Sequence, residues 1–455
     1  MLWKEELRKA PAPAPKSTPK APAEPVAAAS SATTDDTVGL RVRIHQRLLE
    51  MLNLNILEKT PREQLKLEIR EVISQLLRDE RRILSALHVN QLTEDVLDEL
   101  LGLGPLETLL KDDTVSDILI NTHASVYVER RGRLERTEVR FQDTKHLVRI
   151  INKIVSAVGR RVDESQPMVD ARLPDGSRVN AIIPPLAVDG PLVSIRKFSA
   201  KPIDMSRLVE LGSLSSEMAQ LLAAVVASRR NVLISGGTGS GKTTLLNALS
   251  AFIDDRERIV TIEDSAELQL QKPHVGRLET RPPNIEGKGE FTQRDLVRNA
   301  LRMRPDRIVL GEVRAGEAFD MLQAMNTGHD GSMTTIHANT PRDALARCEQ
   351  MVGMAGLDLA PRSIRQQITS AVHVVIQVER QEDGRRRVVS VAEVVGLQED
   401  VISMQEIFRF RRRGVSPDGD VLGDYVPTGV RPKFLDTLSA RGLDLPAALF
   451  APRAG

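Results

Sequence analysis

The chain has 455 residues, 41% of them hydrophobic and 27% charged, which is enough to bury several cores and close to the soluble globular average. A formal net charge of +1 excludes a whole-chain electrostatic pull toward nucleic acid or anionic lipid. A single cysteine, Cys348, excludes an intramolecular disulfide framework, and no apolar run approaches the roughly 18 residues of a membrane-spanning helix.

The start, MLWKEELRKA, lacks the apolar core of a signal sequence, so the chain reads as cytoplasmic. Residues 1–38 read as an Ala/Pro-rich tail that cannot bury enough apolar surface to order itself, with 1–10 better read as a frayed terminus than as a short helix. Residues 39–103 repeat apolar side chains every three or four positions, and Pro61 suits a helix start, so a helical N-terminal domain is expected. Residues 104–205 change period: SDILIN, SVYVER and PLVSIRKF read as strands, and VDARLPDGSRVNAIIP as two strands about a turn at Pro174–Gly176. Between them, residues 143–160 read as an amphipathic helix capped by Asp143, giving an α+β domain. Residues 206–430 alternate strands with helices, the strands being NVLIS, RIVTIE, RIVLGE, SMTTIHA and VHVVIQVE, which predicts a mainly parallel sheet covered on both faces. Residues 271–290, rich in Pro and Gly, read as a mobile loop, and 431–455 as a C-terminal tail.

The strongest local signal is GGTGSGKTT, comprising Gly236, Gly237, Thr238, Gly239, Ser240, Gly241, Lys242, Thr243 and Thr244. Glycines let backbone N–H groups turn inward around phosphate, and a following helix adds partial positive charge. Lys242 would reach the β and γ phosphates of ATP and Thr243 would ligate Mg²⁺. The second apolar strand ends in acid at Glu263 and Asp264, with Glu267 beyond. The third ends in Gly311 and Glu312, where an aspartate usually holds the metal. Strand ends converge in such sheets, so Glu312 can activate water, while Thr243 with an acid from 263–264 can serve the metal. His337 ends a strand at the same edge and suits a γ-phosphate sensor; for His329 a local hydrogen bond is as good a reading as catalysis. Candidate arginines are Arg172, Arg178, Arg196, Arg302 and Arg304, whereas the RRRGV (411–415) and GRRR (384–387) runs read as solvated faces.

Together GGTGSGKT, IEDSAE, RIVLGE and TGHDGSMTTIHA, in that order, resemble the type II/IV secretion ATPase family, over about residues 40–440. LRMRPDRIVLGEVRAGEAFDMLQAMNTGHDGSMTTIHANTPRDAL is similar to its CpaF/TadA branch, which assembles Flp, or tight-adherence, pili. The resemblance implies an α/β, RecA-like P-loop core preceded by an α+β, PAS-like domain and an N-terminal helical bundle. It implies a homohexamer at the inner membrane, held there by pilus platform proteins, with ATP and Mg²⁺ as cofactors and Gly-Glu as the family's own ending for this strand. It assigns metal and water roles to Glu263 and Glu312, a histidine-box role to His337, and nucleotide-approaching roles to Arg178 and Arg196. The rivals are a DNA or protein translocation ATPase and an ATP-binding scaffold without turnover. Aromatic content of 3% argues against a stable nucleic-acid path.

Overall fold

The structure, a computed structural model, describes residues 61–79, 84–198, 203–283 and 288–452. The tail over 1–38 and the helical stretch before residue 61 lie outside the described residues. The chain divides into two units: residues 1–111 with 139–153, and residues 112–138 with 154–455.

In the first unit, the helices Arg62–Asp79 and Ala86–Leu100 pair through Leu65, Ile69, Ile73 and Leu77 on one and Leu92, Val96 and Leu97 on the other. The three-to-four spacing of these residues puts one apolar stripe on each helix. Ser85 caps the second helix by accepting from the His88 amide. Asp143 Oδ1 accepts from the His146 amide at 2.7 Å, the N-cap expected for the helix Thr144–Ala157.

The second unit carries two sheets. Six antiparallel strands are β1 (Val115–Thr122), β2 (Ser125–Arg130), β3 (Arg133–Arg136), β4 (Met168–Arg172), β5 (Arg178–Ile182) and β6 (Leu192–Arg196), in the order β3-β2-β1-β6-β5-β4. Register sets Asp117 opposite Arg196, and Arg196 opposite Arg178, so one row across three strands carries an acid and two arginines.

The larger sheet comprises β7 (Val232–Gly236), β8 (Ile259–Glu263), β9 (Val275–Glu279), β10 (Arg307–Val313), β11 (Met333–Ile336), β12 (Val374–Arg380), β13 (Arg386–Gln398), β14 (Val401–Val415) and β15 (Val421–Pro427). Its order is β15-β14-β13-β12-β7-β11-β10-β8-β9, parallel from β9 through β12 and antiparallel from β12 to β15. Successive residues of the central strands enter opposite cores: Val232 and Ile234 join one, Leu233 the other. Helices Ser216–Ala227 and Lys242–Ser250 cover the first core, and Glu317–Asn326, Pro341–Gly353 and Pro361–Ala371 the second. That double cover explains why these strands read as unbroken apolar runs.

Two expectations are corrected. The loop expected over 271–290 contains β9, which pairs in parallel with β8 from Ile259↔Val275 to Glu263↔Glu279. The segment after residue 430, expected as a tail, buries Phe434, Leu435, Leu438, Leu449 and Phe450 in the first core. These apolar pairs at helical spacing have a core to enter, which a tail would not.

At the end of the sheet where β10 begins, Arg307 is fully buried. It holds Glu257 with two bonds of 2.6 and 3.0 Å and donates to the carbonyls of Val226 and Gly331. Arg307→Met should cost about 3–5 kcal/mol in urea denaturation, because it removes the two-bonded buried partner of Glu257 and leaves only Arg229 at 3.3 Å. A loss below about 1 kcal/mol, the ordinary value of an exposed pair, would refute the buried role.

Candidate functional site

Gly236 ends β7 at a point of close approach. A Cβ there would stand 2.3 Å from the Val378 carbonyl oxygen and 2.5 Å from Ser240 Oγ, so a larger residue would push β12 and the loop apart. The chain then turns through Gly237, Thr238, Gly239 (φ +67°), Ser240 and Gly241 (φ +97°) into the helix Lys242–Ser250. This is the strand–loop–helix order that phosphate binding requires, in which loop amides and a helix N-terminus serve the anion. Lys242 Nζ donates to the carbonyls of Gly236 and Gly237 at 3.0 Å each and lies 3.9 Å from Glu312 Oε1. Burial lowers the Lys242 pKa, against the pull of Glu312. Residues 238–244 open into a cleft of about 1030 Å³ lined from both sheets of the second unit.

The departure at Gly311 has a steric cause. Strands β8 and β10 run parallel with Leu310 beside Ile262, so Gly311 abuts Glu263. A Cβ at 311 would stand 2.9 Å from Glu263 Cγ. Glu263 therefore fills the space that an aspartate at 311 would need. Its Oε1 accepts from the amides of Glu267 and Leu268 at 2.9 Å each, while its Oε2 is buried with no hydrogen-bond partner. Burial raises the Glu263 pKa, with the two amides opposing. Glu312 takes Arg314 at 2.6 and 2.8 Å, and Arg314 also reaches Asp264 at 3.0 Å.

The parallel sheet sorts the remaining candidates. His337 follows β11 and lines the cleft, whereas His329 precedes β11, at its other end, with Nδ1 3.3 Å from the Ala324 carbonyl. Arg302 and Arg304 precede β10 and so sit at the far end of the sheet from the cleft. Arg172 joins β4 to the segment after β8, donating to Ser265 Oγ at 2.6 Å and pairing with Glu279 at 3.1 Å. Arg178 and Arg196 both line the cleft, the first paired with Glu267 and the second with Asp117 at 3.1 Å.

The structure corrects the reading of GRRR as a solvated face. Arg386 donates Nε to the Gly239 carbonyl at 2.8 Å, and Arg387 is buried against Asp383 at 2.9 Å and the Phe410 ring. Asp117, Glu129, Arg314 and Arg380 also line the cleft and were not singled out from the sequence. Arg314 alone carried a local signal, two residues past Glu312. Across the whole lining, eight basic side chains stand against six acidic ones, a surplus of positive charge that suits a polyphosphate.

No group of three or more His, Cys, Asp or Glu residues among those described is arranged to hold a metal unaided. Magnesium needs no such group when phosphate oxygens and water complete its shell. Thr243 beside the cradle and the unpartnered buried Oε2 of Glu263 fit that partial set.

Over most of its length the chain is similar to known proteins. The family model described as type II/IV secretion system protein matches residues 99–411. A Mycobacterium tuberculosis protein whose name ascribes it to conjugal transfer is 41% identical over 333 residues, 72% of this chain and 93% of that one. The type IV secretion system protein VirB11 of Bartonella henselae is 34% identical over 328 residues, 63% of this chain and 90% of its own. The crystal structure of the VirB11 ATPase from the Brucella suis type IV secretion system, solved with sulphate, shares 30% identity over 64% of this chain and 95% of its own, at a TM-score of 0.34.

Gly311→Ala should destabilise the protein by about 1–3 kcal/mol, the usual cost of overpacking. Adding Glu263→Ala should restore most of that loss in chemical denaturation; no restoration would remove the steric account of Gly311.

Proposed function

Because this chain belongs to the type II/IV secretion system protein family and is a P-loop enzyme that hydrolyses ATP, we propose that it is the motor of a type IV secretion-type machine that moves protein or DNA across the cell envelope. The observation that carries the reading is the convergence of Lys242, Glu263, Glu312 and His337 on one cleft beside the phosphate loop. The names of the relatives, conjugal transfer and VirB11, support the cargo class.

In this reading the backbone amides of residues 237–243 bind the β and γ phosphates, and Lys242 leaves its carbonyl partners for them. Thr243 and Glu263 would hold Mg²⁺, which supplies charge neutralisation between the phosphates. Glu312 positions water for attack, and His337 senses the γ phosphate. Arg178 and Arg196 approach the nucleotide from the antiparallel sheet, which corresponds to the PAS-like domain of the expectation, while the nine-stranded sheet corresponds to its RecA-like core. Six copies form a ring, and hydrolysis relaxes each cleft in turn. Platform proteins of the inner membrane tie the ring to the envelope.

A second reading, assembly of Flp pili, draws on the similarity of residues 301–345 to the CpaF/TadA branch. The two readings differ in product. Replacing the resident copy by Lys242→Ala should abolish cargo transfer to a recipient under the first and surface pili under the second; loss of pili with transfer intact would replace the first reading by the second. In purified protein, Lys242→Ala and Glu312→Gln should each reduce steady-state phosphate release by about 10²-fold or more, with thermal melting unchanged. Ordinary turnover in Glu312→Gln would take Glu312 out of the chemistry.

A further inference from the structure

Two pairs of arginines meet the cleft in the same local geometry. Arg178 stands opposite Arg196 across β5 and β6, and Arg380 stands opposite Arg386 across β12 and β13. Like charges directly opposed on a ladder destabilise it unless an anion intervenes. The first pair has one acid for each guanidinium, Glu267 and Asp117. The second pair shares a single acid. Glu129 of β2 places Oε2 at 3.5 Å from Arg380 Nη1 and Oε1 at 3.4 Å from Arg386 Nη2. Strong charge-assisted bonds measure about 2.7–2.9 Å, so the shared carboxylate is only loosely engaged with each guanidinium.

The mount beneath them is firm. The turn between β12 and β13 is closed by Asp383, whose side chain is fully buried and accepts from the Arg385 and Val421 amides and from Arg387. Desolvation opposes its charge, but these bonds hold the Asp383 carboxyl down at about 2. Arg386 reaches the phosphate loop itself, donating to the Gly239 carbonyl, and a Cβ on Gly241 would stand only 3.3 Å from Arg386 Cδ. Arg380 also donates to the Gly132 carbonyl in the β2–β3 turn.

We propose that Arg380 and Arg386 are a second pair of phosphate-binding arginines, and that Glu129 is a positioning residue that competes with the triphosphate for them. This rests on the reading of the cleft as the ATP site. With Glu129 engaged, Arg386 ties β2 to the phosphate loop and Arg380 ties β2 to β12. With ATP bound, phosphate oxygens replace the carboxylate through closer bidentate bonds, and the Glu129 link of β2 is released. The nucleotide thereby controls the tie between the two sheets of the second unit.

The test is titration of the purified full-length chain with a fluorescent ATP analogue at fixed salt. Glu129→Gln should tighten binding about two- to fivefold, the range for a partly exposed ion pair. Glu129→Ala should shift it in the same direction, with thermal melting of both as the folding control. The Arg380→Ala/Arg386→Ala variant should bind more weakly than wild type, and adding Glu129→Gln to it should change nothing, because the competitor then has nothing to compete for. Weaker binding by Glu129→Gln, or an undiminished effect without the arginines, would overturn the proposal. Lys242→Ala separates the premise from the inference. If it binds like wild type, the cleft is not the triphosphate site and both fall. If it alone loses the analogue while the Glu129 and arginine variants match wild type, the site stands and the competition is refuted.

Discussion

Close approach at two strand ends is the constraint on which the site depends. At Gly236 there is no room for a Cβ against β12 and Ser240, and at Gly311 there is none against Glu263. Both glycines sit where parallel strands finish. Because parallel strands finish at one edge, the space they leave open is filled by side chains of neighbouring strands. The metal-holding aspartate expected at the end of β10 is absent because the adjacent strand already supplies a carboxylate to that volume. The carboxylate at this edge thus comes from 263, one ladder away from 311.

Strand polarity does the second part of the sorting. Seven residues, four of them in β11, separate His329 from His337, yet one histidine lies at each end of the sheet. The same rule sends Arg302 and Arg304 to the edge where β10 begins, together with the buried Arg307–Glu257 pair. One end of the sheet thus carries a closed, fully paired ionic contact. The other carries charges that are only partly matched, which is the condition for accepting an anionic ligand.

Electrostatics inside the cleft follow from pairing rather than from net charge. The whole chain is nearly neutral, so bulk composition offers no hint of a basic site. Opposed arginines on two separate ladders concentrate positive charge locally. Acids from other elements hold it in place: Glu267 and Asp117 around one pair, Glu129 between the other. Lys242 completes the arrangement by leaning on its own loop carbonyls and on Glu312. A polyphosphate offers these cations a more highly charged partner than the carbonyls and single carboxylates that hold them.

Local signals in the sequence determined the phosphate loop, the acids and histidine at the ends of apolar strands, and the central parallel strands, because each rests on residues adjacent in the chain. The family follows from four such motifs in order. Strand β3, four exposed residues without apolar alternation, and β9, hidden in a Pro/Gly-rich stretch, left no periodic trace to read. Only the tertiary structure decided that Arg386 belongs to the phosphate loop rather than to a solvated run. It also decided that Glu129 lies between two arginines more than two hundred residues away. The physical reason is that strand order and register, which no short window encodes, bring these charges together.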